Sequence, residues 1–158
     1  QKLILQKVEF VVQSRAFFFT QDKCPNDLSR KHRNQNAHKA DKRNNYAYFL
    51  SLDRVNLDKA EEMSFRTVKA EPKNDTYLDT YAWILFEKGR YTEARIYIDE
   101  AMKNGGEKSA TIVEHCGDIY YMLGLADEAL VFWKQAAAME HDSKTLEKKI
   151  RLKKFVKD

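Results

Sequence analysis

Little in this chain would interrupt a helix: it has two prolines and five glycines in 158 residues, and four of those glycines fall at apparent turns. Many short strands need far more punctuation than that, so an all-β fold is excluded and an all-α class is expected. Cysteine is scarce too. Cys24 and Cys116 lie far apart without a Cys-x-x-Cys spacing, which excludes a disulfide framework and a cysteine zinc site. No compartment is assigned, and neither a signal peptide nor a transmembrane segment is read. The longest apolar stretch, residues 3–20, is broken by Lys7, Glu9 and Arg15, whereas a membrane span needs about 20 nearly uncharged residues.

Catalytic signatures are missing as well. No Gly-x-Gly-x-x-Gly, P-loop, His-Glu-x-x-His or Gly-x-Ser-x-Gly spacing occurs, so phosphate-binding, zinc-hydrolase and serine-hydrolase chemistry has no support. His115 and Cys116 are adjacent, which on a helix points them about 100° apart. Cys116 reads as a small core residue. Adjacent carboxylates such as Glu61-Glu62 and Asp127-Glu128 read as solvated helix faces. No enzyme activity, metal site or cofactor is expected.

What is present is repetition. Tyr46-Ala47-Tyr48-Phe49-Leu50 aligns with Tyr81-Ala82-Trp83-Ile84-Leu85 and with Cys116-Gly117-Asp118-Ile119-Tyr120, in steps of 35 residues. Ala60, Ala94 and Ala129 form a second track, and Thr67, Ala101 and Ala136 each follow seven residues later on the same helical face. Small residues on both tracks let two antiparallel helices approach closely. Gly89 and Gly124 mark turns within units, and Pro72 and Gly105-Gly106 mark the ends of units. Asp58, Asp75 and Ser109 are candidate N-caps. Each unit therefore reads as helix, turn, helix.

Ala82, Gly89, Tyr91, Ala94 and Ala101 in the middle unit, with Ala60 and Pro72 before them and Gly117, Ala129 and Ala136 after, resemble the tetratricopeptide repeat family. The wording around Tyr81–Tyr91 looks like bacterial members. The resemblance implies a right-handed superhelical solenoid of about three repeats (about 42–74, 75–108 and 110–143). It further implies a non-catalytic scaffold that binds a protein or peptide in a concave groove lined by first helices. Carried over by position, that groove holds Asn44, Tyr48, Asp79, Trp83, Phe86, Glu87, Glu114, Asp118 and Tyr121. Members that grip acidic chaperone C-termini use a Lys/Asn/Arg clamp there. Asn44, Asp79 and Glu114 stand in those places here, which disfavours an acidic ligand.

The ends are treated separately. Residues 144–158 read as a basic capping helix, with Leu146, Ile150 and Phe155 inward and Lys148, Lys149, Arg151, Lys153 and Lys154 outward. Residues 1–43 read as an irregular basic segment: an apolar helix or strand over 3–20, then a polar linker from Asp22 to Arg43. Lys and Arg outnumber Asp and Glu ten to four in residues 1–43 and seven to two in 144–158; over 44–143 they number eleven against eighteen. The net charges of +6, +5 and −7 suggest a basic or apolar partner for the array, or self-association through the N-terminal segment. The competing class is nucleic-acid or other anion binding through the basic ends, with Arg30, Lys31, Arg33, Lys39, Lys42 and Arg43 on phosphates. Aromatics are not interleaved with that stretch, so no nucleic-acid partner is expected.

Overall fold

A computed structural model of the chain describes residues 26–139 and 143–157, with side chains from residue 34 onward. The expected apolar element over 3–20 lies outside the described residues. The chain divides into two compact units, residues 1–39 and 40–158. Among the described residues all regular structure is helical. The helices are α1 (Asn26–Leu52), α2 (Leu57–Ala70), α3 (Asp75–Glu87), α4 (Tyr91–Lys103), α5 (Ala110–Met122), α6 (Ala126–Ala138) and α7 (Leu146–Leu152). A 3-10 turn, Gly106–Lys108, precedes α5.

The pairs α3–α4 and α5–α6 pack as hairpins, α2 lies against α3, α4 against α5, and α7 against α6. Period and phase follow the small residues. Ala47, Ala60, Ala82, Ala94, Ala101, Ala129 and Ala136 are completely buried. Larger side chains fill the space between them, Tyr81, Leu85, Ile98 and Ile119 in the central cluster and Val113, Trp133 and Leu146 in the next. Each such Leu or Ile contributes roughly 1.5–3 kcal/mol by burial.

The turns repeat as faithfully as the helices. Arg90 N–H donates to Leu85 O at 2.9 Å with Gly89 at φ 75°, and Leu125 N–H donates to Tyr120 O at 3.1 Å with Gly124 at φ 82°. Val55 N–H donates to Leu50 O at 3.1 Å in the same way, but Arg54 occupies the left-handed position at φ 53°. A side chain there costs roughly 1 kcal/mol relative to glycine. The strained position aims Arg54 at Glu87, 2.6 Å away.

Some expectations need correction. Residues 26–43 are helical and not a linker: no proline or glycine falls within α1, and charged residues form helices adequately even when polar on every face. The cap of α3 is Asn74, whose side chain accepts from Tyr77 N–H, and not Asp75. Asp58 lies inside α2, behind Asn56 in a left-handed conformation, and Ser109 holds the cap position of α5 without a side-chain bond. The terminal helix ends at Leu152, and Lys149 is turned inward, only 4% exposed.

Candidate binding groove

The first helices α1, α3 and α5 are tied by polar bonds that each span one repeat. Tyr77 OH donates to Asp41 at 2.6 Å, Asn44 Nδ2 to Thr80 Oγ1 at 3.0 Å, and His115 Nδ1 lies 2.9 Å from Asp79 Oδ1, each pair 36 residues apart. Lys149 Nζ donates to Glu114 Oε1 at 2.7 Å, 35 residues on. By this register α7 stands where a fourth first helix would begin. The buried rungs at Asn44, Asp79 and Glu114 are satisfied only when neighbouring repeats keep their phase, so the ladder fixes how successive first helices line up.

A compact charge cluster closes the ladder. Lys149 also donates to Asp118 Oδ2 at 2.7 Å, Trp133 Nε1 donates to Asp118 Oδ1 at 2.9 Å, and Ser143 donates to Glu114 at 2.9 Å. Burial pushes the Asp118 carboxyl up to about 6, against the pull of Lys149 and His115. Burial also works against ionised Glu114, but the hydrogen bond and charge of Lys149 hold it below the usual carboxylate range. For His115, burial disfavours the imidazolium, and the Asp79 carboxylate, with Asp118 and Glu114 beyond, reverses this and raises its pKa above the ordinary value.

Both raised groups carry the same sign of linkage. The stability contributed by His115 is complete below its unfolded pKa of 6.5 and is lost as pH rises through its higher folded value. Asp118 adds stability as pH falls from about 6 toward 3.8 and loses it on the way back. The urea midpoint is therefore expected to fall between pH 6 and pH 8. His115→Gln, which keeps a donor for Asp79 but does not titrate, should flatten most of that fall. An equal slope in both proteins would remove the ionised His115 from this account.

Two adjoining cavities run along these helices, of about 530 and about 330 Å³, and they share Tyr48 and Thr111 as walls. Tyr48, Trp83, Glu87, Glu114 and Asp118 meet at the larger, and Asn44, Tyr48 and Asp79 at the smaller. Phe86 and Tyr121 line neither. Phe86 is buried against Tyr91 and Phe155, and Tyr121 packs 5.6 Å from Trp133. The Trp83 ring stacks on Phe86 at 4.7 Å and on His115 at 4.1 Å. Burial, reinforced by Asp79 and Glu114, raises the pKa of the Tyr48 phenol, which keeps it a donor.

The wall expected to be acidic is largely compensated from within. Asp79 has His115, Glu114 and Asp118 have Lys149, and Glu87 has Arg54 and Lys157. Sequence reasoning missed His115, Lys149, Phe155 and Lys157 as groove residues. The signal available was the step of 35–36 from Asp79 and Glu114, which lands on the first two. Nothing comparable marks Phe155 and Lys157, which reach the groove through a chain reversal. Cys116 is buried and its thiol is pushed up by that burial, so it is not a thiolate at neutral pH. No described helix is long and apolar enough to cross a membrane.

Residues 77–100, spanning most of α3 and α4, match the tetratricopeptide repeat family model. No curated protein matches the chain in sequence. Solved structures do match in fold. The tetratricopeptide domain of Sgt2 from Aspergillus fumigatus aligns at TM-score 0.65 and 15% identity over 73% of this chain and 76% of its own. The TPR2AB domain of yeast Sti1 in complex with pHSP90 aligns at 0.60 and 23% over 74% of this chain and 46% of its own. The structure of Naa15/Naa10 bound to HypK aligns at 0.62 and 20% over 73% of this chain and 17% of its own.

Proposed function

We propose that this chain, which has the fold of tetratricopeptide-repeat solenoids, is a non-catalytic interaction module that takes a peptide segment of another protein into the groove along α1, α3 and α5. One observation carries this reading. Two adjoining cavities open along the first helices, the larger walled by Tyr48 and Trp83 and the smaller by Asn44, Tyr48 and Asp79. Tyr48, which lines both, offers an extended peptide an aromatic surface and a phenol donor.

The structural relatives support the class of partner: one is seen with pHSP90 and another with HypK. They do not carry over the ligand's charge. Asp79 and Glu114 face this groove, so an acidic chain end is repelled, and because both already hold internal cations a strongly basic peptide gains less than their number suggests.

Thr111 is exposed and borders both cavities, so Thr111→Arg obstructs the groove while leaving the core untouched. Peptides selected from a random library on the full chain should bind this variant at least about tenfold more weakly, roughly 1.4 kcal/mol. Titration calorimetry reads the difference. Selected peptides that bind Thr111→Arg as tightly as the unsubstituted chain would place recognition elsewhere.

A further inference from the structure

We infer that residues 155–157 are a tethered occupant of the groove, and that the segment displacing them shares their chemistry: an aromatic side chain followed two residues later by a lysine. This rests on the groove reading above and adds what the ligand looks like and what it competes with.

The reversal that brings the segment in is built into the end of α7. Lys153 adopts a left-handed conformation at φ 49°, and Lys154 N–H donates to Lys149 O at 3.2 Å, closing the helix and turning the chain back. Phe155, Val156 and Lys157 then line the larger cavity opposite Tyr48 and Trp83. Phe155 meets Phe86 edge to face, with centroids 5.6 Å apart, and lies under Lys149 Nζ at 5.4 Å. Lys157 Nζ lies 3.1 Å from both carboxylate oxygens of Glu87. The +5 end thus meets the −7 array at a defined pair.

Phe155 packs against the edge of the central cluster, and three features make the contact exchangeable. Phe155 and Val156 are only half-buried, and the Lys157 side chain is 43% exposed. Among the described residues no main-chain hydrogen bond holds 155–157. Glu87, whose side chain is 3% exposed, keeps Arg54 at 2.6 Å when Lys157 leaves, so displacement does not strand a buried carboxylate. A short tether gives a weak contact a millimolar effective concentration, enough to hold it in place yet yield to a better ligand. An incoming aromatic-x-Lys segment would replace both contacts, ring on Phe86 and ammonium on Glu87.

The test uses the full chain, its Phe155→Ser/Lys157→Glu variant, and a synthetic peptide with the sequence Lys153–Lys157. The chain has two tryptophans, and Trp133 is fully buried, so the Trp83 indole N–H gives an assignable magnetic-resonance probe at the groove. The peptide is expected to shift that signal in the double variant and to need about tenfold more peptide in the unsubstituted chain, where the occupant must first leave. Lys157→Glu alone, at an exposed position, should show the same direction and guards against a packing defect from Phe155→Ser. Equal titration of all three proteins overturns the proposal, as does no response in any. Library-selected peptides separate the two ideas. If they are weakened by Thr111→Arg but not strengthened by the double substitution, the groove stands and the tethered occupant falls; if they ignore Thr111→Arg, both fall.

Discussion

Lys149→Met is expected to lower the unfolding free energy by about 3–5 kcal/mol, a large part of the roughly 5–15 kcal/mol available to a domain. Lys149 Nζ lies 2.7 Å from Glu114 and 2.7 Å from Asp118, and all three side chains are at most 8% exposed. Methionine keeps most of the stem's volume and removes only the charge, leaving two carboxylates facing one another out of water. Burial already pushes Asp118 up to about 6 with the lysine present, so without it both acids take up protons at higher pH in the folded state. A folded form that binds more protons than the unfolded one gains stability as pH falls. The deficit of the variant should therefore be largest near pH 8 and shrink toward pH 5, as read from urea unfolding of both proteins at each pH. A deficit below about 1 kcal/mol at pH 8, typical of exposed pairs, would mean that the trio is solvated and does not hold α7. Because α7 covers the cluster of Val113, Trp133 and Leu146, the effect should extend to the last hairpin and to the reversal at Lys153.

The sequence pattern places this lysine at the surface. The repeat was legible because its marks are local and intolerant: Ala47, Ala82, Ala60, Ala94 and Ala129 sit where helices touch, and any larger side chain there would separate them. Lysine on a terminal helix carries no such mark, since its stem suits a surface as well as an interior. Its burial depends on Glu114, 35 residues earlier, and a single ion pair leaves no periodic trace. The start of α1 is illegible for the opposite reason. Asn, Lys, Arg and His on every face lack the apolar stripe by which helices are recognised, yet none of them stops a helix. Phase assigns the expected groove residues to α1, α3 and α5, and the structure brings Tyr48, Trp83, Glu87, Glu114 and Asp118 to one cavity. Phase does not reveal which of them already have partners. Asn44, Asp79 and Glu114 follow one another at 35 residues and bond to the next first helix one repeat on, so the positions that suggested a ligand surface also hold the repeats in register.

Gly117→Ala is expected to cost about 1–3 kcal/mol, although alanine in mid-helix normally gains about 0.5–1 kcal/mol over glycine. A Cβ at this position would lie 2.6 Å from both Cδ1 and Nε1 of Trp133 and 3.1 Å from Ala129 O. The ring cannot simply swing aside: Trp133 is completely buried, and its Nε1 is committed to Asp118. The equivalent positions show why glycine is needed only here. In the second unit Ala82 has Ile98 sixteen residues on; in the third Gly117 has Trp133 at the same interval; in the first, with one extra residue in its turn, Ala47 has Ser64. A larger residue on the second helix goes with a smaller one on the first, as a close-packed interior requires. Trp133→Ile alone should itself destabilise by about 3 kcal/mol or more through the cavity it leaves and the donor that Asp118 loses. Combined with Gly117→Ala it restores the pairing of the second unit, so the double variant should be at least about 1 kcal/mol more stable than the sum of the singles predicts. Thermal unfolding of the four proteins closes that cycle. Simple additivity would show that the helices separate to admit the methyl group, and that the glycine is not there to make room for the indole.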